Sequence, residues 1–252
     1  MRIVRYQRGA EAATYGAIVD GAVHAIEGSI FSADPAVGAR VAALDDVALL
    51  APCEPTKMVA VGLNYRTHIA EMEKPVPTQP LIFYKTPNTI VGPGADVHRP
   101  EVAERFDYEG ELAVVIGRRA RRVTAENVGD FILGYTCAND VTVRDWQEDG
   151  QWTRAKSSDE FGPIGPAIVT DVADPGNLRV QTRLNGELRQ DTSTADLLFD
   201  ITSLLVFITE WITLEPGDVV LTGTSGGVGA MEVGDVVEVE IEGIGVLRNQ
   251  IV

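Results

Sequence analysis

The stretch FDYEGELAVVIG, residues 106–117, places Glu109 and Glu111 two positions apart inside an apolar run. Side chains of a β-strand alternate between its two faces, so this spacing predicts that both carboxylates project to the same side. Two carboxylates on one strand face repel each other and lose hydration unless a cation or a shared proton lies between them. An E-x-E pair that lines the solvated face of an antiparallel sheet is the structural alternative.

A third carboxylate follows the next apolar run, FILGYTCAN, which ends at Asp140. Three hard oxygen ligands held on rigid elements suit Mg²⁺ or Mn²⁺ better than zinc. We therefore interpret Glu109, Glu111 and Asp140 as a candidate divalent-metal site.

A possible general base lies in VGLNYRTHIAEMEKP, residues 61–75, where His68 and Glu71 are three residues apart on a short predicted helix. That spacing brings two side chains together on one helical face. A carboxylate that orients an imidazole supports its action as a base, although pairs of this kind also occur by chance. The polar, proline-flanked segment that follows is expected to order over a bound substrate like a lid.

Five motifs stand in a fixed order along the chain: GLNY-x-x-H-x-x-E, E-x-E, ND-x-x-x-R-x-x-Q, a lysine before GPIGP, and TGT-x-x-GVG. This order resembles the fumarylacetoacetate hydrolase family over roughly residues 55–252, and it is more specific than any single motif. The resemblance implies a mixed, mainly β fold, a roll or barrel-like sandwich with the active site at one mouth.

The resemblance also implies roles for individual residues. Metal binding falls to Glu109, Glu111 and Asp140, whose ion would chelate the carboxylate and 2-oxo oxygen of an α-keto acid and act as a Lewis acid. The implied catalytic residues are His68, Glu71 and Lys156. The implied substrate-binding residues are Arg144, Gln147, Thr224 and Lys85.

The activity that we predict is cleavage of the C–C bond of a β-diketo acid, of the acylpyruvate or fumarylpyruvate type found in aromatic catabolism, with release of a 2-oxo acid. His68 would deprotonate water, and Lys156 would stabilise the oxyanion. Decarboxylation of oxaloacetate and isomerisation of 2-hydroxyhepta-2,4-diene-1,7-dioate need the same enolate and remain alternatives. A non-catalytic small-molecule-binding module is the alternative from another class. Arg66, in the lid, is a candidate contact for a second substrate carboxylate.

Composition narrows the class of protein. The 252 residues are 45% hydrophobic and 23% charged, as in soluble globular proteins, and the formal charge of −16 disfavours nucleic-acid binding. No apolar run approaches the roughly 20 residues that span a bilayer, and no secretory signal is recognisable, so a cytoplasmic enzyme without membrane contact is expected. Cys53 and Cys137 have no metal-type spacing and are expected to be reduced.

Residues 1–54 are predicted to form a small α/β domain, with strands and a helical stretch near residues 41–50, and residues 55–252 the catalytic domain. Asn185-Gly186 predicts a hairpin, and residues 194–213 have the apolar spacing of a helix. That long apolar helix, together with the family resemblance, predicts a homodimer.

One motif is misleading. Residues 223–227, GTSGG, match the G-x-S-x-G nucleophile elbow of serine hydrolases. That motif requires a helix directly after the serine and a histidine later in the chain. The residues after Ser225 are expected to form a turn and a strand, and no histidine follows, because all three histidines precede Ser225. We therefore reject a serine-hydrolase site.

Overall fold

The structure is a computed structural model that describes residues 1–32 and 35–252. Short segments rich in β-branched residues form strands, and glycines with positive φ occupy many of the turns between them. The first five strands are β1 (Arg2–Gln7), β2 (Thr14–Val19), β3 (Ala22–Glu27), β4 (Ala36–Ala43) and β5 (Ala48–Leu50).

Fifteen further strands follow in the described chain. Their bounds are β6 (Met58–Gly62), β7 (Leu81–Lys85), β8 (Ile90–Val91), β9 (Asp96–Val97), β10 (Phe106–Tyr108), β11 (Gly110–Ile116), β12 (Ile132–Asn139), β13 (Thr142–Val143), β14 (Gly162–Val169), β15 (Arg179–Leu184), β16 (Glu187–Ser193), β17 (Val219–Leu221), β18 (Gly229–Ala230), β19 (Val236–Ile241) and β20 (Gly245–Ile251). The α-helices are α1 (Arg66–Glu71), α2 (Arg144–Glu148), α3 (Trp152–Ser157) and α4 (Ile201–Trp211). Single 3₁₀ turns cover Leu44–Asp46, Pro87–Thr89, Val128–Phe131 and Thr194–Asp196.

Three sheets organise these strands. The largest has 12 strands along the path β4-β3-β2-β1-β14-β12-β11-β17-β6-β7, with β5 beside β1 and β8 beside β14. A five-stranded sheet has the order β16-β15-β19-β20-β9, and a three-stranded sheet the order β13-β10-β18. The mainly β prediction is confirmed, and the large sheet is open between β4 and β7 and does not close into a barrel.

The first 54 residues join the large sheet directly. Strand β1 pairs antiparallel with β14, with Arg2 opposite Val169, so the sheet continues across the predicted boundary near residue 55. In their described part they contain strands and one 3₁₀ turn, and no α-helix, so the helical stretch predicted near residues 41–50 is not observed. The reason is pairing: β4 pairs with β3 and β5 pairs with β1, which leaves only residues 44–47 between β4 and β5 for a helical turn.

Strand β11 lies at the centre of the molecule and is buried on both faces. Leu112, Val114 and Ile116 belong to the core that the large sheet shares with the five-stranded sheet and α4. Ala113 and Val115 face the opposite core. By the period of two, Glu111 lies on the same face as Ala113, and a carboxylate therefore enters an otherwise apolar layer.

The apolar helix is shorter than residues 194–213. It begins at Ile201 because the Asp200 side chain caps it, accepting from the Ser203 backbone N–H at 2.7 Å. Leu204 and Ile208 are fully buried, whereas Trp211 is 69% exposed. Most of the apolar face is thus interior, and the homodimer stays a prediction. No helix in the described residues has the length and hydrophobicity to cross a membrane.

Asp218, a fully buried carboxylate, links two segments of the fold. It accepts hydrogen bonds from the Thr56 backbone N–H at 2.9 Å and the Glu215 backbone N–H at 2.7 Å, and it pairs with Lys57. It thereby fastens the turn before β17 to the start of β6. Asp218→Ala should lower the free energy of unfolding by about 3 kcal/mol, because it leaves buried donors without an acceptor.

Urea denaturation measures this loss. Asp218→Asn keeps one acceptor oxygen and should lose less, and Glu11→Ala in the exposed Arg8–Glu11 pair should change little. Equal unfolding midpoints for Asp218→Ala and the unaltered protein would contradict the role.

Candidate functional site

The three predicted metal-binding carboxylates converge at the end of β11. Glu109 lies between β10 and β11, Glu111 is the second residue of β11, and Asp140 directly follows β12. The antiparallel register, with Gly110 opposite Asn139, brings Asp140 beside Glu109, and the Asp140 N–H donates to the Glu109 carbonyl at 2.9 Å. One carboxylate oxygen from each residue lies within 4.8 Å of the others, and all three side chains are buried.

Two lysines and an arginine surround these carboxylates. The Nζ of Lys156 donates to Glu109 and to Asp140, both at 2.8 Å. The Nζ of Lys85 donates to the other oxygen of Asp140 at 2.6 Å. Glu111 forms no ion pair within the described residues and instead accepts from the Gly223 backbone N–H at 2.6 Å.

The pKa values follow these contacts. Burial, then the charges of Asp140 and Glu109, raise the pKa of Glu111 well above its ordinary value. Burial would also raise the pKa of Glu109, but Lys156 and Arg144 outweigh it and hold that pKa below the ordinary range. Burial alone would lower the pKa of Lys156, whereas Asp140 and Glu109 raise it. Glu111 is thus the carboxyl group of the cluster that no cationic side chain of the described residues pairs with, and its raised pKa disfavours the charged form in the absence of a cation.

This donor set fits a divalent cation. Three convergent carboxylates offer hard oxygen ligands of the kind that Mg²⁺ and Mn²⁺ prefer, and Glu111 supplies buried charge that no side chain of the described chain neutralises. The residues present are therefore compatible with the metal that the sequence predicts.

Arg144 is held rigidly at the start of α2. Its Nε donates to Asp107 at 2.8 Å and its Nη1 to Gln147 at 3.1 Å. Its Nη2 lies 2.6 Å from a Glu109 oxygen but outside hydrogen-bond alignment, so this buried donor has no hydrogen-bond partner. Asp107, fully buried and not predicted from the sequence, thus orients Arg144. The alternation of carboxylates at 107, 109 and 111 was the signal for it.

A cavity of about 440 Å³ opens over this cluster. Six of the ten predicted site residues line it: His68, Glu109, Arg144, Gln147, Lys156 and Thr224. Apolar walls come from Val61, Leu63, Met72, Leu81, Phe83 and Trp152. The structure therefore brings the candidate base, two of the three cations and one of the carboxylates to a single cavity.

The His68–Glu71 pair lies on α1, as predicted. The Nδ1 of His68 is 3.5 Å from Glu71, at the long limit of a hydrogen bond. Glu71 also accepts from the Gly227 backbone N–H at 3.1 Å. Burial lowers the pKa of His68 despite the nearby Glu109 and Glu71 carboxylates, which favours the neutral imidazole near pH 7.

Lys85 lies behind Asp140 and does not line the cavity. Its ammonium is fully buried and donates to Asp140 and to the Lys156 carbonyl. This position orients Asp140, and the predicted contact of Lys85 with substrate stays a prediction.

The loop of residues 222–227 contains Thr224 and Ser225. The Thr224 hydroxyl donates to the Gly110 carbonyl at 3.0 Å, so it has no proton left for a substrate carboxylate. Ser225 is buried and donates to the Gly226 carbonyl. It is followed by a loop and β18, and the absence of a helix there agrees with the rejection of a serine-hydrolase elbow.

Comparisons with known proteins agree with the residue pattern. A family model described as fumarylacetoacetate (FAA) hydrolase C-terminal matches residues 57–252, and one described as Rv2993c-like, N-terminal, matches residues 1–52. The oxaloacetate tautomerase fahd2, mitochondrial, of Xenopus laevis is 41% identical over 220 residues, which cover 82% of this chain and 69% of that protein.

Solved structures show the same fold along the whole chain. The 5-carboxymethyl-2-hydroxymuconate delta-isomerase from Mycobacterium smegmatis matches with a TM-score of 0.92 and 42% identity, covering 100% of this chain and 99% of that one. A fumarylacetoacetate hydrolase from the psychrophilic Exiguobacterium antarcticum matches with a TM-score of 0.88 and 38% identity, covering 100% and 99%. From the matched residues and the shared fold, this chain belongs to the fumarylacetoacetate hydrolase family.

Proposed function

We propose that this protein is a divalent-metal-dependent hydrolase that cleaves the C–C bond of a β-diketo acid of the acylpyruvate type. The observation that carries the proposal is the position of His68 in the same cavity as Glu109, Arg144 and Lys156, above the convergent carboxylates. Hydrolysis needs a base for water and a means to stabilise the enolate of the departing 2-oxo acid, and the cavity contains candidates for both.

Glu109, Glu111 and Asp140 would hold Mg²⁺ or Mn²⁺. When bound there, such an ion supplies Lewis-acid stabilisation for oxygens that gain negative charge. The other parts of the reaction belong to the chain itself. His68, oriented by Glu71, takes a proton from water at its ring nitrogen. Lys156 and Arg144 donate to substrate oxygens, and Gln147 accepts from the Nη1 of Arg144 and so helps to hold the guanidinium.

Isomerisation or tautomerisation of a 2-oxo acid is the second candidate. The relatives named as an isomerase and a tautomerase, at 42% and 41% identity, favour it. These reactions, like decarboxylation of oxaloacetate, form the same enolate but use no attacking water. The candidates therefore share the carboxylate cluster and differ in what they require of His68.

The metal site predicts a specific binding defect. Glu111→Gln removes one anionic ligand while it keeps the shape of the side chain, so Mn²⁺ affinity should fall by at least about tenfold. Electron paramagnetic resonance of free Mn²⁺ during titration of chelator-treated protein measures this directly. Glu148→Gln, at an exposed glutamate that also lines the cavity, is the matched control and should leave Mn²⁺ affinity unchanged. Full activity of the protein in excess chelator would refute the metal-dependent scheme.

His68→Ala separates the two candidate reactions. Loss of the base should lower kcat for acylpyruvate hydrolysis by about 10²–10⁴-fold and should affect enol–keto conversion or decarboxylation of oxaloacetate much less. Because burial lowers the pKa of His68, the acidic limb of kcat/KM for hydrolysis should lie below the ordinary histidine value of about 6.5. His98→Ala, at an exposed histidine, is the control.

Unchanged hydrolysis by His68→Ala would remove the attacking-water mechanism. If the unaltered protein converts oxaloacetate but releases no pyruvate from any acylpyruvate, the second candidate replaces the first.

The distal half of the substrate is recognised elsewhere in the cavity. Arg66, the candidate contact for a second substrate carboxylate, is exposed and does not line the cavity. Lys74 does line the cavity, and it has no ion-pair partner in the described chain. We therefore propose a dicarboxylic substrate, such as a fumarylpyruvate-like acid, whose far carboxylate meets Lys74.

A substrate panel tests this preference. Lys74→Met should lower kcat/KM for fumarylpyruvate about threefold to fivefold relative to acetylpyruvate, the size expected for an ion pair at a solvated site. Arg66→Met should leave the ratio unchanged. A ratio that is the same in Lys74→Met and in the unaltered protein would contradict the dicarboxylate proposal without affecting the metal mechanism.

A further inference from the structure

Gln190 is a buried polar residue that the proposed reaction does not use. It lies on β16, is 2% exposed, and belongs to the five-stranded sheet rather than to the strands that carry the carboxylates. A buried amide loses its hydration and persists only where its donors and acceptor find partners. The partners of Gln190 are therefore informative about its role.

The hydrogen bonds of Gln190 fix its amide in one orientation. Its Oε1 accepts from the Gly110 backbone N–H at 3.1 Å, and its Nε2 donates to the Ser225 carbonyl at 3.0 Å. A backbone N–H can only donate and a carbonyl can only accept, so the flipped amide would fail at both contacts. The Nε2 also donates to the Thr224 hydroxyl at 2.8 Å.

These bonds close into a ring. The Gly110 N–H donates to Gln190, Gln190 donates to Thr224, and the Thr224 hydroxyl donates back to the Gly110 carbonyl at 3.0 Å. The backbone N–H and the carbonyl of Gly110 are thus both linked to the 222–227 loop, the N–H through Gln190 and the carbonyl directly through Thr224. Every donor in the ring has one acceptor, which makes the arrangement rigid and specific.

The anchored residue is the one between two of the carboxylates. Gly110 separates Glu109 from Glu111, and a Cβ at this position would overlap the Thr182 hydroxyl and lie 3.2 Å from the Gln190 oxygen. The loop at the other side of the ring also supplies the Gly223 N–H, which donates to Glu111 at 2.6 Å. The ring therefore sets where the loop amide and the two glutamates stand relative to each other.

We propose that Gln190 is a positioning residue for the metal site: through Gly110 and Thr224 it fixes the spacing of the Glu109 and Glu111 carboxylates and so determines metal affinity. The inference rests on the proposed function only in requiring that these carboxylates bind a divalent cation. It assigns no contact between Gln190 and the ion or the substrate.

Gln190→Glu is the sharpest variant because it conserves size. The new carboxylate still accepts from the Gly110 N–H, but it has no donor for Thr224 or for the Ser225 carbonyl, so the link to the loop is lost. Gln181→Glu is the matched control. Gln181 lies on the adjacent strand β15, is 8% exposed, and accepts from Arg183 without touching the ring.

The test is Mn²⁺ titration of the chelator-treated full chain, followed by electron paramagnetic resonance, with thermal unfolding of the metal-free proteins alongside. Gln190→Glu should bind Mn²⁺ about tenfold more weakly, the lower end of the loss expected when a direct partner of a metal ligand is removed, because Gln190 acts through Gly110 and Thr224. Gln181→Glu should match the unaltered protein. Thr224→Val, which removes the same link from the loop side, should weaken binding similarly, and the double variant should show less than the sum of the two losses. Thr224→Ser keeps the hydroxyl and should bind Mn²⁺ as tightly as the unaltered protein does.

Two outcomes separate this inference from the proposed function. If the unaltered protein binds no Mn²⁺, the metal site fails and the role of Gln190 fails with it. If the unaltered protein binds Mn²⁺ and a folded Gln190→Glu binds it equally well, only the positioning role is refuted. Should Gln190→Glu not fold, Thr224→Val with unchanged Mn²⁺ affinity would refute it equally.

Discussion

The constraint on which the site depends is the convergence of three carboxylates in a buried layer. Like charges at such distances repel strongly because the protein interior screens them poorly, and burial adds a desolvation cost for each. Glu109 and Asp140 satisfy this constraint with Lys156, and Asp140 also with Lys85. Glu111 has only a backbone N–H, and its raised pKa expresses the remaining imbalance. A divalent cation would remove that imbalance without any change of fold.

The arrangement of the chain around Asp140 follows from the same requirement. Strand β12 ends just before Asp140, α2 begins at Arg144, and α3 carries Lys156, so one continuous stretch supplies one carboxylate and two cations of the cluster. Arg144 in turn needs Asp107, because a buried guanidinium also requires compensation. Buried charges of opposite sign therefore lie beside each other, and neighbouring side chains rather than solvent compensate them.

The sequence was sufficient for the parts of the site that depend on local spacing. The E-x-E spacing predicted that Glu109 and Glu111 lie together, the i, i+3 spacing predicted the same of His68 and Glu71, and the ordered motifs identified the family. It was insufficient where distant segments meet. Gln190 is 80 residues from Gly110, and their strands lie in different sheets, so neither segment indicates that the two residues meet.

The interrupted strand shows the same limit. Residues 106–117 were predicted as one strand, yet β10 belongs to the three-stranded sheet and β11 to the large one. Glu109 lies at the point where the chain passes between them, which frees its backbone N–H to donate to the Asn139 Oδ1 at 2.9 Å. Similarly, the sequence did not show which lid cation lines the cavity, because Arg66 begins α1 and Lys74 follows its end, and their placement depends on how the helix packs.

The 222–227 loop joins the two chemical halves of the site. Its Gly223 N–H donates to Glu111, and its Gly227 N–H donates to Glu71, the residue that orients His68. The Gly226 N–H reaches the Thr67 hydroxyl on the same helix at 3.2 Å. A displacement of this loop would therefore move a candidate metal ligand and the support of the candidate base together. The loop therefore links α1, which carries the candidate base, to the strand that carries the carboxylates.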